Sequence, residues 1–208
     1  IQSEDWNETK ILMIIFGIAS GMSYLHSNGI IHHDLKPGSV FIDKDLLPKI
    51  SDFGSFTKIQ ILRSMSCQSS SKIQNDPNYS APEVLNSEGA CKASDVYSFA
   101  LIVYEIMTKE KPFSNLNTNE IFVEVVTKCG RPEFPSEENV RIPDHYKELI
   151  EACWCQNPSE RLSFDDIVNI LKSDTRFLSE KVDKQKYFEF VNSIENYDQS
   201  KKNDKHQE

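Results

Sequence analysis

His32-His33-Asp34-Leu35-Lys36-Pro37-Gly38-Ser39, followed after one hairpin by Ser51-Asp52-Phe53-Gly54, is the stretch that decides the fold. Its first half puts a carboxylate and an ammonium two positions apart in a polar loop, a pairing that binds and polarises phosphate. Between the two segments run Val40-Phe41-Ile42, a turn at 43–45 and Pro48-Lys49-Ile50, alternating short apolar runs that read as a hairpin. A hairpin returns the chain towards its start, so Asp34 and Asp52 are expected to face one cleft. Two carboxylates and one lysine suit magnesium and phosphate. Either aspartate alone is more economically a turn or capping residue, and a lone Asp-Phe-Gly is a weak signal. The combination carries the reading.

Outward from this centre, Ile11, Ile14, Ile15, Ile18, Met22 and Leu25 recur at helical spacing, and Asn28-Gly29 supplies a stop, which predicts a long amphipathic helix ahead of the loop. Ile30-Ile31 reads as a further short strand. The polar run 55–78, with Ser64, Ser66, Ser69, Ser70 and Ser71, has the profile of a mobile loop, and its serines read as solvated more readily than as phosphorylation sites. From Ser94 to Met107 apolar residues occupy nearly every face, which predicts a helix buried all round. Further helices are predicted over 118–128, 144–154 and 163–171, the last opened by Ser163 and Asp166 at capping-box spacing. Tyr187, Phe190, Val191, Ile194 and Tyr197 form one more stripe, read as a helix docking on its own lobe. Residues 198–208 contain no apolar residue and are expected to be disordered.

The 208 residues suffice for one folding unit, and 38% hydrophobic with 26% charged residues excludes collagen-like, low-complexity and wholly disordered chains. With 32 acidic against 23 basic residues the formal charge is -9. No basic stripe offsets it, so neither nucleic acid nor an anionic membrane is an expected partner. The strongest apolar run, Ile11 to Ala19, is about half the length of a bilayer span, which predicts a soluble protein. Five cysteines, Cys67, Cys91, Cys129, Cys153 and Cys155, are an odd count without a metal-type pair of pairs. They predict reduced thiols, a cytosolic setting, and for Cys153-Trp154-Cys155 thiols partly buried at a helix end. The chain begins at Ile1 and is expected to be a trimmed chain or a fragment.

The loop from His32 to Ser39 resembles the catalytic loop of eukaryotic protein kinases, and Asp52-Phe53-Gly54 resembles their magnesium-binding triplet. Ala81-Pro82-Glu83 is similar to the end of the activation segment, Ser94-Asp95-Val96-Tyr97-Ser98-Phe99-Ala100 to the start of the buried central helix, and Asn157-Pro158-Ser159-Glu160-Arg161 to the late loop. The five signals stand in the family's order. They imply a mainly α fold, the kinase C-terminal lobe with a buried central helix and small β-hairpins, of Ser/Thr or tyrosine-kinase-like type. The lobe is expected over 11–172, after a segment 1–10 leading from a missing N-terminal lobe and before a tail, 173–197.

The resemblance implies an ATP-dependent kinase acting on Ser/Thr hydroxyls of a protein substrate, with ATP and Mg2+ bound. Asp34 would accept or orient the substrate hydroxyl proton and Lys36 would lie on the transferring phosphate. Asp52 would hold magnesium, with Ser39 a weak second ligand, and Phe41 would form the floor under adenine. Asp95 would brace the loop from below, His32 would pack beside Phe53, and Glu83 with Arg161 would anchor the activation segment. Three departures stand out. His33 replaces an Arg that clamps a phosphorylated loop, Ser39 replaces an Asn at the second metal, and Asp76 replaces a Thr, where it would pair with Lys36 or repel Asp34. Ahead of Ile11 there is no Gly-rich loop and no strand Lys, so this chain alone is expected to be nearly inactive. The departures fit a second reading, a pseudokinase or scaffold binding protein partners through the activation loop and tail.

Overall fold

The computed structural model describes residues 6–44, 47–52, 76–136 and 140–204. The serine-rich run expected to be a mobile loop lies outside them except for 76–78, as do Phe53, Gly54 and Cys67.

Asn7 opens the first helix by accepting the Lys10 amide at 2.9 Å, and α1 runs Glu8–Ser27. The predicted stop operates: Asn28 caps the helix and Gly29 takes the left-handed φ of 74° that lets the chain turn away. The helix is less amphipathic than its spacing predicts, because every residue from Leu12 to Ser20 is buried. Two elements cover it from different sides, α6 (Phe164–Ser173) and the tail helix α7 (Lys184–Asp204). By length and hydropathy α1 is apolar enough to cross a bilayer, but 72% of that window is buried against protein. Helix-on-helix packing uses up the surface that lipid would need.

Strands β1 (Val40–Ile42) and β2 (Pro48–Ile50) pair antiparallel with Phe41 opposite Lys49. The hairpin is closed by Asp43, whose amide reaches the Leu47 carbonyl at 3.2 Å and whose carboxylate takes the Leu47 amide at 3.0 Å. Ile30 and Ile31 are not a strand. Ile30 instead packs half-buried on the core, leaving the hairpin as the sheet among the described residues. Glycine is what allows β2 onto α1. A Cβ on Gly17 would stand 2.6 Å from the Pro48 ring, and one on Gly21 would stand 2.9 Å from Ile50.

The central helix, α3 (Lys92–Thr108), follows the short α2 (Pro82–Leu85) and is buried at every position from Ser94 to Tyr104, as its sequence predicts. Phe99 meets Phe164 edge to face at 5.4 Å. Residues 118–128 begin as α4 (Thr118–Phe122) but widen into a π turn over Val123–Thr127. Helix α5 (Asp144–Cys153) packs on α3 and ends with the Cys153 thiol fully buried, while Cys155 is half-buried. Ser163 and Asp166 make the predicted capping box at α6, with the Asp166 amide 3.1 Å from the Ser163 hydroxyl.

The tail docks on its own lobe. Tyr187 and Phe190 pack edge to face on Phe16 at 5.9 and 6.4 Å, and the Tyr187 hydroxyl donates to the Leu171 carbonyl at 3.0 Å. The helix then continues to Asp204, so 198–204, expected to be disordered, are helical. Lys and Gln in this segment carry enough intrinsic helix propensity to extend an anchored helix.

Candidate active site

The loop between α1 and β1 is held from beneath by one carboxylate. Asp95, in the first turn of α3 and 1% exposed, accepts the His32 amide at 2.8 Å on one oxygen and the His33 amide at 3.0 Å on the other. The first oxygen also meets His26 Nε2 at 2.9 Å. Two backbone amides fixed on one buried group set the direction in which residues 32–34 leave the core, and His33 takes a left-handed φ of 74° to follow it.

That turn presents Asp34 and Lys36 together. The Lys36 ammonium lies 2.6 Å from the Asp34 carboxylate, each side chain 31% exposed, so the pair is anchored yet open to solvent. Behind it, the turn Pro37–Ser39 is closed by Ser39, whose hydroxyl donates to the Lys36 carbonyl at 2.8 Å and accepts the Lys36 amide at 3.1 Å. Ser39 is 1% exposed and its hydroxyl is committed to this turn. Phe41 sits on β1 and is 60% exposed. Exposing so much apolar surface costs hydration free energy unless a flat apolar partner covers it.

Asp52 joins the site through its neighbour. The His32 ring donates from Nε2 to the Ser51 carbonyl at 2.8 Å while Nδ1 faces the Asp34 amide at 3.4 Å, so one imidazole bridges the two acidic segments. The Ser51 amide in turn bonds the Ser39 carbonyl at 2.9 Å. Asp52 is exposed at a φ of 62°, with one carboxylate oxygen 3.2 Å from the Ser51 hydroxyl. The crevice beside Asp34 is lined by Asp76, Tyr79 and Ser80 rather than by Asp52. His32 packing beside Phe53 falls outside the described residues.

One replacement residue, Asp76, departs from expectation. Asp76 pairs neither with Lys36 nor directly with Asp34. It caps the turn Pro77–Tyr79 by accepting the Asn78 amide at 3.1 Å, and takes the Lys111 ammonium at 3.3 Å. Lys111, just past the end of α3, takes this carboxylate, whereas Lys36 is already held by Asp34. Burial lowers the His33 pKa more than Asp95 raises it, so this imidazole carries no charge at neutral pH.

Glu83 and Arg161 meet as the sequence implies. The guanidinium donates to both carboxylate oxygens, at 2.7 and 2.8 Å, and Ser94 adds a third bond to Glu83 at 2.7 Å. Burial alone would push Glu83 up, but the hydrogen bonds from Arg161 and Ser94 and the guanidinium charge outweigh it and hold the carboxyl below its ordinary value. Sequence reasoning assigned no role to His26, Ser51, Lys111 or the bond from Tyr79 to Glu105. His26 and Asp95 are 69 positions apart, and no local pattern links them.

Residues 2–171 match the protein kinase domain family. The chain belongs to the protein kinase family. It is 35% identical over 171 residues to the serine/threonine-protein kinase CTR1 of Arabidopsis thaliana, covering 81% of this chain and 20% of that protein. A probable LIM domain-containing serine/threonine-protein kinase of Dictyostelium discoideum is 34% identical over 84% of this chain and 25% of its own length. A probable serine/threonine-protein kinase of the same organism is 38% identical over 74% of this chain and 16% of its own length. The kinase chain thus spans a quarter or less of these relatives.

Proposed function

We propose that this lobe serves an ATP-dependent protein kinase that transfers the γ-phosphoryl group to Ser/Thr hydroxyls of a protein substrate. The observation that carries the reading is the half-open Asp34 and Lys36 pair on a loop whose amides are clamped by Asp95. Asp34 accepts the proton of the attacking hydroxyl, and Lys36 leaves its carboxylate partner to lie against oxygens of the transferring group. His32 holds the backbone of Asp34 and Ser51 in fixed relation, so the base and Asp52 keep their spacing. The exposed Phe41 is the residue that would form the floor under adenine. The available donors are carboxylate oxygens, hard ligands that suit Mg2+, and Asp52 is the residue that would hold it. When bound, the ion supplies charge neutralisation between the phosphates. The unbridged thiols Cys91, Cys129, Cys153 and Cys155 suit the reducing cytosol.

One observation favours a second reading, a pseudokinase that binds partners without transfer: the Ser39 hydroxyl, in the position of a second metal ligand, is committed to the turn. The test is Asp34→Asn in the full protein that carries this lobe, assayed for transfer of labelled phosphate from Mg-ATP to a protein substrate. The expected result is loss of about two to four powers of ten in rate with an unchanged melting temperature. Equal turnover by both proteins refutes the role of Asp34, and no transfer by the unaltered protein selects the second reading.

A further inference from the structure

Where the C-terminal end of α1, the first turn of α3 and the loop into α6 meet, they leave a cavity of about 250 Å³. None of Asp34, Lys36, Phe41 or Asp52 lines it. Its walls include Ala93, Val96, Leu162 and Phe164, together with the buried His26 and the exposed Lys92. The volume is below that of drug-sized pockets and admits a body of about ten non-hydrogen atoms, one ring with a short arm.

Charge selects the occupant. Arg161, which also lines the cavity, has its five donors placed on Glu83, Cys155, Ala93 and Gln156. The Asp165 carboxylate, also on the lining, accepts the Ser23 hydroxyl and keeps its negative charge, so an anion is favoured only on the Lys92 side. Lys92 is exposed and has no ion pair or hydrogen bond among the described residues. It also occupies the first position of a 17-residue helix, where the helix dipole disfavours a cation. A lysine in this place is unfavourable for the fold and favourable for an anion at the cavity mouth.

The back wall leads to the catalytic loop. The His26 ring stands edge-on to Phe164 at 5.0 Å, and its Nε2 lies 2.9 Å from Asp95, whose oxygens hold the His32 and His33 amides. Any body pressed against Phe164 and His26 is two hydrogen bonds from the residue that precedes Asp34.

We propose that this cavity binds a small apolar-bodied carboxylate, its ring against Val96, Leu162 and Phe164 and its carboxylate on the Lys92 ammonium. Occupancy is felt at the catalytic loop through His26 and Asp95. The site is independent of whether the cleft transfers phosphate.

The probe is phenylacetate, titrated into this chain while backbone amide resonances are followed by NMR. Saturable shifts are expected at Ala93 and Phe164 and, in step with them, at His32 and His33. A charge-assisted contact at a half-wet mouth is worth about a factor of ten, so Lys92→Gln and the neutral isostere phenylacetamide should each weaken binding about tenfold. The melting temperature of Lys92→Gln should hold or rise, since a cation leaves a helix N-terminus. Ala93→Leu, which fills the cavity from its rim, should abolish the shifts. No saturable shift up to about 10 mM, where even a weak fragment of this size registers, overturns the site. Undiminished binding by Lys92→Gln, or equal binding of phenethylamine, overturns the choice of an anion. Shifts at Ala93 and Phe164 with His32 and His33 unmoved overturn the connection to the loop.

Discussion

Glu83→Gln removes one charge from a pair that has no access to water on the Arg161 side, where the side chain is 0% exposed. Arg161 spends five donors: two on the Glu83 carboxylate at 2.7 and 2.8 Å, and three on the carbonyls of Cys155, Ala93 and Gln156 at 2.8, 2.9 and 3.3 Å. The amide of glutamine accepts one of the two guanidinium bonds and turns an NH2 towards the other, so one donor is orphaned and the cation loses its counter-charge. One lost hydrogen bond to a charged group costs about 1.5 to 3 kcal/mol, and the lost counter-charge adds to it, which brings the total towards the about 3 to 5 kcal/mol that breaking a buried pair from one side costs. For a chain of this size that corresponds to a fall of about 6 to 20 °C in melting temperature. Calorimetry or urea unfolding of this chain measures it. Arg161→Met on top of Glu83→Gln removes the stranded cation as well and should cost less than the sum of the single changes. A loss below about 1 kcal/mol for Glu83→Gln refutes the argument, because it means the guanidinium reaches water after all.

Three further outcomes follow from particular contacts. Gly17→Ala gains about 1 kcal/mol of helix propensity, but its Cβ meets the rigid Pro48 ring at 2.6 Å. Overpacking at about 1 to 3 kcal/mol exceeds the gain, so urea unfolding should show net destabilisation, and a more stable variant would contradict the close approach of β2 to α1. The Tyr97 hydroxyl is buried without a hydrogen-bond partner among the described residues, its ring 5.0 and 5.1 Å from the guanidinium groups of Arg131 and Arg161, and burial pushes its pKa up to about 12. Tyr97→Phe should therefore be neutral or stabilising by about 1 kcal/mol; a loss of stability in the same assay would show that the hydroxyl is bonded. Burial holds His33 and His145 below the ordinary histidine value of 6.5, so the unfolded chain binds the extra protons. Their contribution is present above 6.5 and lost as pH falls through the lower folded values. Glu83, held below 4.5, adds a second loss in more acid solution. Melting temperatures should thus fall in two stages below neutrality, and a flat profile from pH 7 to 5 would remove the histidine contribution.

What the sequence made legible and what it hid separate along a physical line. The buried helix α3 was readable because burial on all sides leaves apolar residues at every phase, and no tertiary partner can change that pattern. The helix start at Ser163 was readable because a capping box is complete within four residues. Helix α1 was only half readable: its spacing marks one apolar face, but Ser20 and Gly17 are hidden as well, because α7 returns over it from far along the chain and β2 comes within the reach of a methyl group. The candidate site divides the same way. Asp34, Lys36 and Asp52 stand out because chemistry dictates their types and spacing, whereas Asp76 chose Lys111 over Lys36 for a reason visible only in three dimensions, the prior commitment of Lys36 to Asp34. Asp95 shows how the two kinds of information meet. Its letter lies in a readable run, yet its weight comes from three bonds to residues 62 to 69 positions earlier. A helix buried on every side holds such a carboxylate in place, so the all-round hydrophobicity of α3 and the fixed direction of the catalytic loop are two consequences of one packing arrangement.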